Sequence, residues 1–308
     1  MRTAYLGTSE FAATVLRRLG DSPHRPVLVV TPPDSRQGRG RRLASPPAAE
    51  AARELDLPIH QTADVNSAES LEAIRAADPA AISVCAFGQL IKEPLLSERT
   101  MLNVHPSLIP RWRGAAPIER AIMAGDATTG VTIMRVTEGL DSGPIALAEQ
   151  IPIADDDDYA SLSAKLADLG GELLVRALDL LAKGELEFTE QDDADATYAE
   201  KISPEERRLD PGGPADELER RVRALTPHVG AFLELEGGGR LRVCSAQALS
   251  AHGSDGSSSP GRIVAEEDAL LLICGDGVLQ LDVVQPPGKK PMSAADFLRG
   301  HPTPTQAL

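Results

Sequence analysis

The sequence predicts an α/β protein: a Rossmann-like doubly wound parallel sheet, then a small β-barrel domain. Three observations predict it. The chain opens on a strand, a glycine turn, an amphipathic helix and a second buried strand. Further apolar strands end in loops that carry polar groups. Beyond residue 214 one short helix is followed only by short apolar runs between glycine turns, the pattern of a small barrel.

Residues 2–6 read as the first strand, turned by Gly7-Thr8-Ser9-Glu10. Residues 11–19 read as a helix with Phe11, Val15 and Leu19 on one face. Residues 27–30 form a short buried strand. The turn lacks Gly-x-Gly-x-x-Gly, so nothing points to NAD. In residues 31–43, Arg36, Arg39, Arg41 and Arg42 are interleaved with glycines between prolines. Such a segment has little to bury and is expected to be a mobile loop. Guanidinium forks on it suit phosphate, although a solvated loop is the commoner outcome. Residues 48–55 and 69–76 read as helices, and 80–84 as a central strand. The following Cys85-Ala86-Phe87-Gly88-Gln89-Leu90-Ile91 is either a seat for a planar ligand or a buried turn.

Two stretches carry the chemistry. In Asn103-Val104-His105-Pro106-Ser107-Leu108-Ile109-Pro110, a strand ends in an amide, an imidazole and a hydroxyl on a proline-braced loop. In Val131 to Pro144, a second strand ends in a glycine-flanked turn holding Asp141. Asp141 follows His105 by 36 positions, the length of one strand–helix–strand unit. Neighbouring strands with tips pointing the same way would let the two meet. A carboxylate beside a histidine fixes its tautomer, and Asn103 adds a neutral donor for a developing oxyanion. A satisfied histidine and an ordinary turn aspartate are the competing readings.

Residues 117–124 read as a helix and 145–151 as a strand. Asp155 to Asp158 precede a helix starting near Tyr159 and read as a cap rather than a metal site. Its stripe of Leu162, Leu166, Leu169, Leu173 and Leu174 is core packing. Composition then changes, which places a catalytic domain at 1–190, a linker at 191–213 and a barrel domain at 214–308. Strands are expected at 231–236, 241–248, 261–265, 269–274 and 278–284. Residues 254–259 read as a hairpin tip, and Lys289 and Lys290 lie in a late basic turn.

Composition narrows the function classes. Net charge is −15 over 308 residues, which argues against a general nucleic-acid binder but allows a local basic patch. The opening residues carry no apolar signal region, and no run approaches membrane-spanning length, so a cytoplasmic protein is expected. Cys85, Cys244 and Cys274 lack Cys-x-x-Cys spacing and fit reduced core thiols; no histidine pair has metal-ligand spacing.

At residues 103–118 and at Gly139-Leu140-Asp141-Ser142-Gly143 the sequence resembles the methionyl-tRNA formyltransferases. The short Asn-x-His with a distant Asp is shared by folate-dependent formyltransferases; the run through Ala116-Pro117 is closer to the tRNA enzymes. The resemblance implies a formyltransferase domain followed by an OB-like barrel. It implies formyl transfer from 10-formyltetrahydrofolate to methionine on initiator methionyl-tRNA, with Asn103, His105 and Asp141 catalytic; a mechanism of orientation and electrostatics needs no metal, and a monomer is expected. It puts the folate near Phe87, Gly88, Gln89, Leu90, Ser107, Leu108, Ile109 and Pro110. It puts tRNA contacts at Arg36, Arg39, Arg41, Arg42, Lys289 and Lys290. Ser9 departs from a common proline and Pro211 from an aromatic residue. A formyltransferase acting on a small amine, a formylfolate hydrolase and a noncatalytic RNA-binding protein are the rivals.

Overall fold

The computed structural model describes residues 1–37, 42–249 and 259–308. Its contacts divide the chain into two compact units. The first comprises Met1–Pro117, Thr128–Pro152 and Ser163–Ala199; the second comprises Ile118–Ala127, Ile153–Leu162 and Glu200–Leu308.

The first unit is built from β1 (Thr3–Gly7), α1 (Glu10–Gly20), β2 (Pro26–Thr31), β3 (Ser35–Gln37), β4 (Arg42–Ala44), α2 (Pro47–Glu54), β5 (Ile59–Gln61), α3 (Ala68–Ala77), β6 (Ala81–Cys85), α4 (Leu95–Glu98), β7 (Thr100–His105) and β8 (Arg113–Gly114). After α5 (Pro117–Ala124) come β9 (Thr128–Arg135), β10 (Ile145–Pro152), α6 (Tyr159–Lys183) and β11 (Tyr198–Ala199). The main sheet runs β10-β9-β7-β6-β1-β2-β5. Strands β1 and β6 are buried at every position, as expected of central parallel strands covered on both faces. Helix α1 buries Phe11, Val15, Leu16 and Leu19. Ser9 caps it, its hydroxyl accepting from the Ala12 amide at 3.3 Å. The departure at Ser9 therefore has a structural use.

The structure corrects the sequence reading at β9. The five strands from β5 to β7 are parallel, but β9 pairs antiparallel with β7, matching Asn103 to Met134 and His105 to Thr132. No strand–helix–strand unit aligns the two strand tips. The connection between β9 and β10 runs back instead, and that loop carries Asp141. A second difference lies in residues 31–43. Strands β3 and β4 pair antiparallel, Ser35 with Ala44 and Arg36 with Leu43, so the flanks of the expected mobile loop are a β-ribbon. Backbone ladder bonds supply the order that the polar side chains could not. Arg39 and Arg41 lie outside the described residues.

In the second unit α7 (Ala215–Leu225) packs on an antiparallel sheet of β12 (Ala231–Glu234), β13 (Arg240–Leu249), β14 (Ile263–Glu266), β15 (Ala269–Ile273), β16 (Val278–Gln285) and β17 (Met292–Ser293), ordered β12-β13-β16-β15-β14 with β17 on β16. Leu218, Val222, Leu233, Val243, Leu270, Leu272 and Leu281 are among its core. After α8 (Ala294–Gly300), the tail bridges the sheet's two edges: Ala307 pairs with Leu235 beside β12, and Gln306 with Arg262 beside β14. The tail thereby closes the sheet as a barrel, which removes its open edges. Of the hairpin tip expected at 254–259, residues 254–258 lie outside the described residues.

Candidate active site

Asn103 and His105 sit two residues apart on β7, so their side chains share one face of the sheet. His105 is 4 % exposed. Its Nε2 lies 2.9 Å from the backbone carbonyl of Trp112. Trp112 adopts φ 64°, a left-handed backbone uncommon for a large side chain, and its amide donates to the Thr197 hydroxyl at 2.9 Å. Asp141 also has a left-handed backbone, with φ 47°. Its Oδ2 stands 3.7 Å from His105 Nδ1 and accepts from the Gly114 amide at 2.9 Å. Gly114 itself has φ 119°, and a Cβ there would meet the Ala199 carbonyl at 2.8 Å. Only glycine serves at this position. Clustered backbone strain of this kind is typical of sites held in one functional arrangement.

Residues not singled out from sequence hold this centre. Arg113 is 3 % exposed, and its Nε and Nη2 donate to Gln191 Oε1 at 3.0 and 2.8 Å. Its Nη2 also reaches Asp193 Oδ1 at 2.8 Å. Gln191 Nε2 donates to the Asp141 and Gly143 carbonyls. Strand β11 pairs with β8, and the amides of Ala115 and Ala116 donate to the Ala199 carbonyl. The first part of the segment that composition marks as a linker is thus packed beside the loops that carry Gly114 and Asp141. No spacing signal pointed to Gln191, because its partners are backbone carbonyls 48 and 50 positions away.

The other expected residues fall as follows. The 85–91 loop follows β6 directly, next to β7 in the sheet. Phe87 is buried, and its carbonyl accepts from the Thr8 hydroxyl at 2.8 Å. Gly88 has φ 80° with open space where a Cβ would stand. The Gln89 side chain is already committed, donating to the Thr62 carbonyl and accepting from the Val65 amide. Leu90 is exposed. The Ser107 hydroxyl donates to the Arg111 carbonyl and staples the loop, while Ile109 is buried and Leu108 and Pro110 are half-buried. Arg36 is exposed on β3, and Arg42 lies on β4; Lys289 and Lys290 are exposed in the turn after β16.

Burial pushes the Cys85 thiol up to about 12, so this cysteine at the end of β6 is no nucleophile. Among the described residues, no group of three His, Cys, Asp or Glu is placed to hold a metal ion. No described helix is long and apolar enough to cross a membrane.

An amide, an imidazole and a carboxylate gathered at one end of a sheet can support acyl-type group transfer, and comparison with known proteins specifies the family. The model of the formyl transferase family matches residues 1–178, and that of the formyl transferase C-terminal domain matches 201–302. The chain is 45 % identical over 303 residues to methionyl-tRNA formyltransferase of Methylococcus capsulatus, covering 98 % of this chain and 97 % of that one. It is 44 % identical over 300 residues to the enzyme of the same name from Pseudomonas paraeruginosa, covering 96 % and 95 %. The fold is similar to that of HypX from Aquifex aeolicus in complex with tetrahydrofolic acid (TM-score 0.66, 20 % identity, 98 % of this chain and 48 % of that one). It is also similar to WlaRD, a sugar 3N-formyl transferase (TM-score 0.65, 15 % identity, 94 % and 99 %). The chain belongs to the methionyl-tRNA formyltransferases of the formyl transferase family.

Proposed function

We propose that the chain transfers a formyl group from 10-formyltetrahydrofolate to the amino group of methionine on initiator methionyl-tRNA. The observation that carries the chemistry is the convergence of Asn103, His105 and Asp141, with Asp141 Oδ2 3.7 Å from His105 Nδ1. The folate derivative supplies the activated formyl group. The 85–91 loop would seat the folate ring, and the open space beside Gly88 leaves its backbone approachable. Gln89 would contact it through backbone, its side chain being engaged with Thr62 and Val65.

Asn103 donates to the formyl oxygen as that oxygen gains charge under attack by the uncharged amine. A carbonyl can only accept, so the Trp112 carbonyl requires a proton on His105 Nε2 and leaves Nδ1 as the exchanging nitrogen. At 3.7 Å, Nδ1 and Asp141 are an ion-pair distance apart rather than hydrogen bonded. Protonated Nδ1 can therefore serve the formyl oxygen while the Asp141 carboxylate stabilises the imidazolium. Asp141 helps take the proton released by the attacking amine, and the departing folate nitrogen takes one up, so the count balances.

The basic segment containing Arg36, Arg39, Arg41 and Arg42, together with Lys289 and Lys290, would hold the tRNA backbone. Action as a monomer is part of the proposal. An aminoacyl-tRNA acceptor places the enzyme in the cytoplasm. We propose 1–190 as the catalytic domain and 214–308 as the OB-like barrel domain, with 191–213 between them, of which 191–199 packs with the first unit.

The test is an acceptor competition with 10-formyltetrahydrofolate as donor. Formylmethionyl-tRNA as the dominant product supports this function. Formate release, or formylation of an added small amine without tRNA product, overturns it.

A further inference from the structure

We propose that Gln191 is a positioning residue that holds Asp141 in its catalytic pose; the inference rests on the formyl-transfer reading of the site. Asp141 has φ 47°, a conformation that needs surrounding contacts to maintain it. Gln191 Nε2 supplies two of them, donating to the Asp141 carbonyl at 3.0 Å and to the Gly143 carbonyl at 2.6 Å. The third is the Gly114 amide on Asp141 Oδ2.

The orientation of the Gln191 amide is determined by its partners. Arg113 can only donate, and both its Nε and Nη2 point at Oε1, so the amide nitrogen must face the turn. Arg113 is buried and is held in turn by Asp193. A chain of bonds therefore runs from Asp193 through Arg113 and Gln191 to the backbone of Asp141. Replacing Gln191 by Glu keeps shape and the Arg113 contact but removes both donors, leaving two carbonyls facing a carboxylate. Replacing it by Ala removes both partners.

The experiment is a double-mutant cycle on formyl transfer. Gln191→Ala and Gln191→Glu are each made in the wild type and in Asp141→Asn. Both are expected to lower kcat by about ten- to a hundredfold in the wild-type background, as misplacement of a reacting group does. KM for either substrate should stay within about threefold, because no substrate contact is lost. In Asp141→Asn the same changes should cost less than about threefold, since the group they position no longer acts. An equal loss in both backgrounds overturns the proposal, as does unchanged kcat or a rise in KM alone. Thermal unfolding of each variant separates loss of folded protein from loss of turnover, and the near-isosteric Glu variant covers an Ala variant that does not fold. A wild type that formylates another acceptor sinks the tRNA function, while the cycle run on that acceptor still decides the role of Gln191.

Discussion

His105 Nε2 stands 2.9 Å from the Trp112 carbonyl, and that contact determines which nitrogen of the ring exchanges protons. The carbonyl has no proton to give, so neutral His105 must be the Nε2–H tautomer. Nitrogen-15 NMR of the folded enzyme should show a protonated Nε2 and a bare Nδ1 in the neutral ring. The opposite tautomer would contradict the hydrogen bond from Nε2 to the Trp112 carbonyl and the proton-exchanging role given to Nδ1.

Asn103 should act on the transition state more than on binding. Its side chain shares a sheet face with His105, and an oxyanion donor is worth about 10²–10³-fold in rate. Asn103→Ala is expected to lower kcat by about that factor with KM for folate little changed. Steady-state kinetics with each substrate varied in turn would check it.

The barrel-bearing unit carries a pH-dependent contact of its own. The Arg120 guanidinium, bonded to Glu206, pulls that carboxyl down to about 2, and the Ser203 amide adds a second donor. A depressed folded-state value means the contribution is present above the ordinary carboxylate value and is lost as pH falls from there toward about 2. The contact is partly exposed, so its size is modest. Thermal unfolding should show Glu206→Gln below wild type in Tm at pH 7, with the gap narrowing under acid. A gap independent of pH would contradict the assignment.

The arginine segment should govern tRNA use alone. Replacing Arg39, Arg41 and Arg42 by Ala is expected to raise KM for tRNA and leave KM for 10-formyltetrahydrofolate unchanged. The log–log salt slope of tRNA binding should shallow by about one for each phosphate contact removed. Equal loss toward both substrates would show that the segment is not a tRNA contact.

Much of this molecule is legible in its sequence because the signals are local. The strand-turn-helix opening, the stripe along α6 and the five runs that became β12 to β16 each follow from periodicity and turn residues. The direction of β9 was not legible, since antiparallel and parallel neighbours both read as apolar runs. The meeting of His105 and Asp141 was anticipated, but by a different route: the β9–β10 loop returns, rather than two parallel tips aligning. The bracing by Arg113, Gln191 and Gly114 was hidden because its bonds end on backbone atoms, which leave no residue pattern. The barrel's closing tail and α8 were missed for a similar reason, being short elements whose order comes from tertiary bonds.

The most direct test is single-turnover formylation of methionyl initiator tRNA by wild type and Asp141→Asn. The expected result is formylmethionyl-tRNA from wild type and a rate lower by about 10²–10⁴-fold in the variant, with both substrates still bound. An Asp141→Asn rate within about threefold of wild type would contradict the role given to the His105–Asp141 pair.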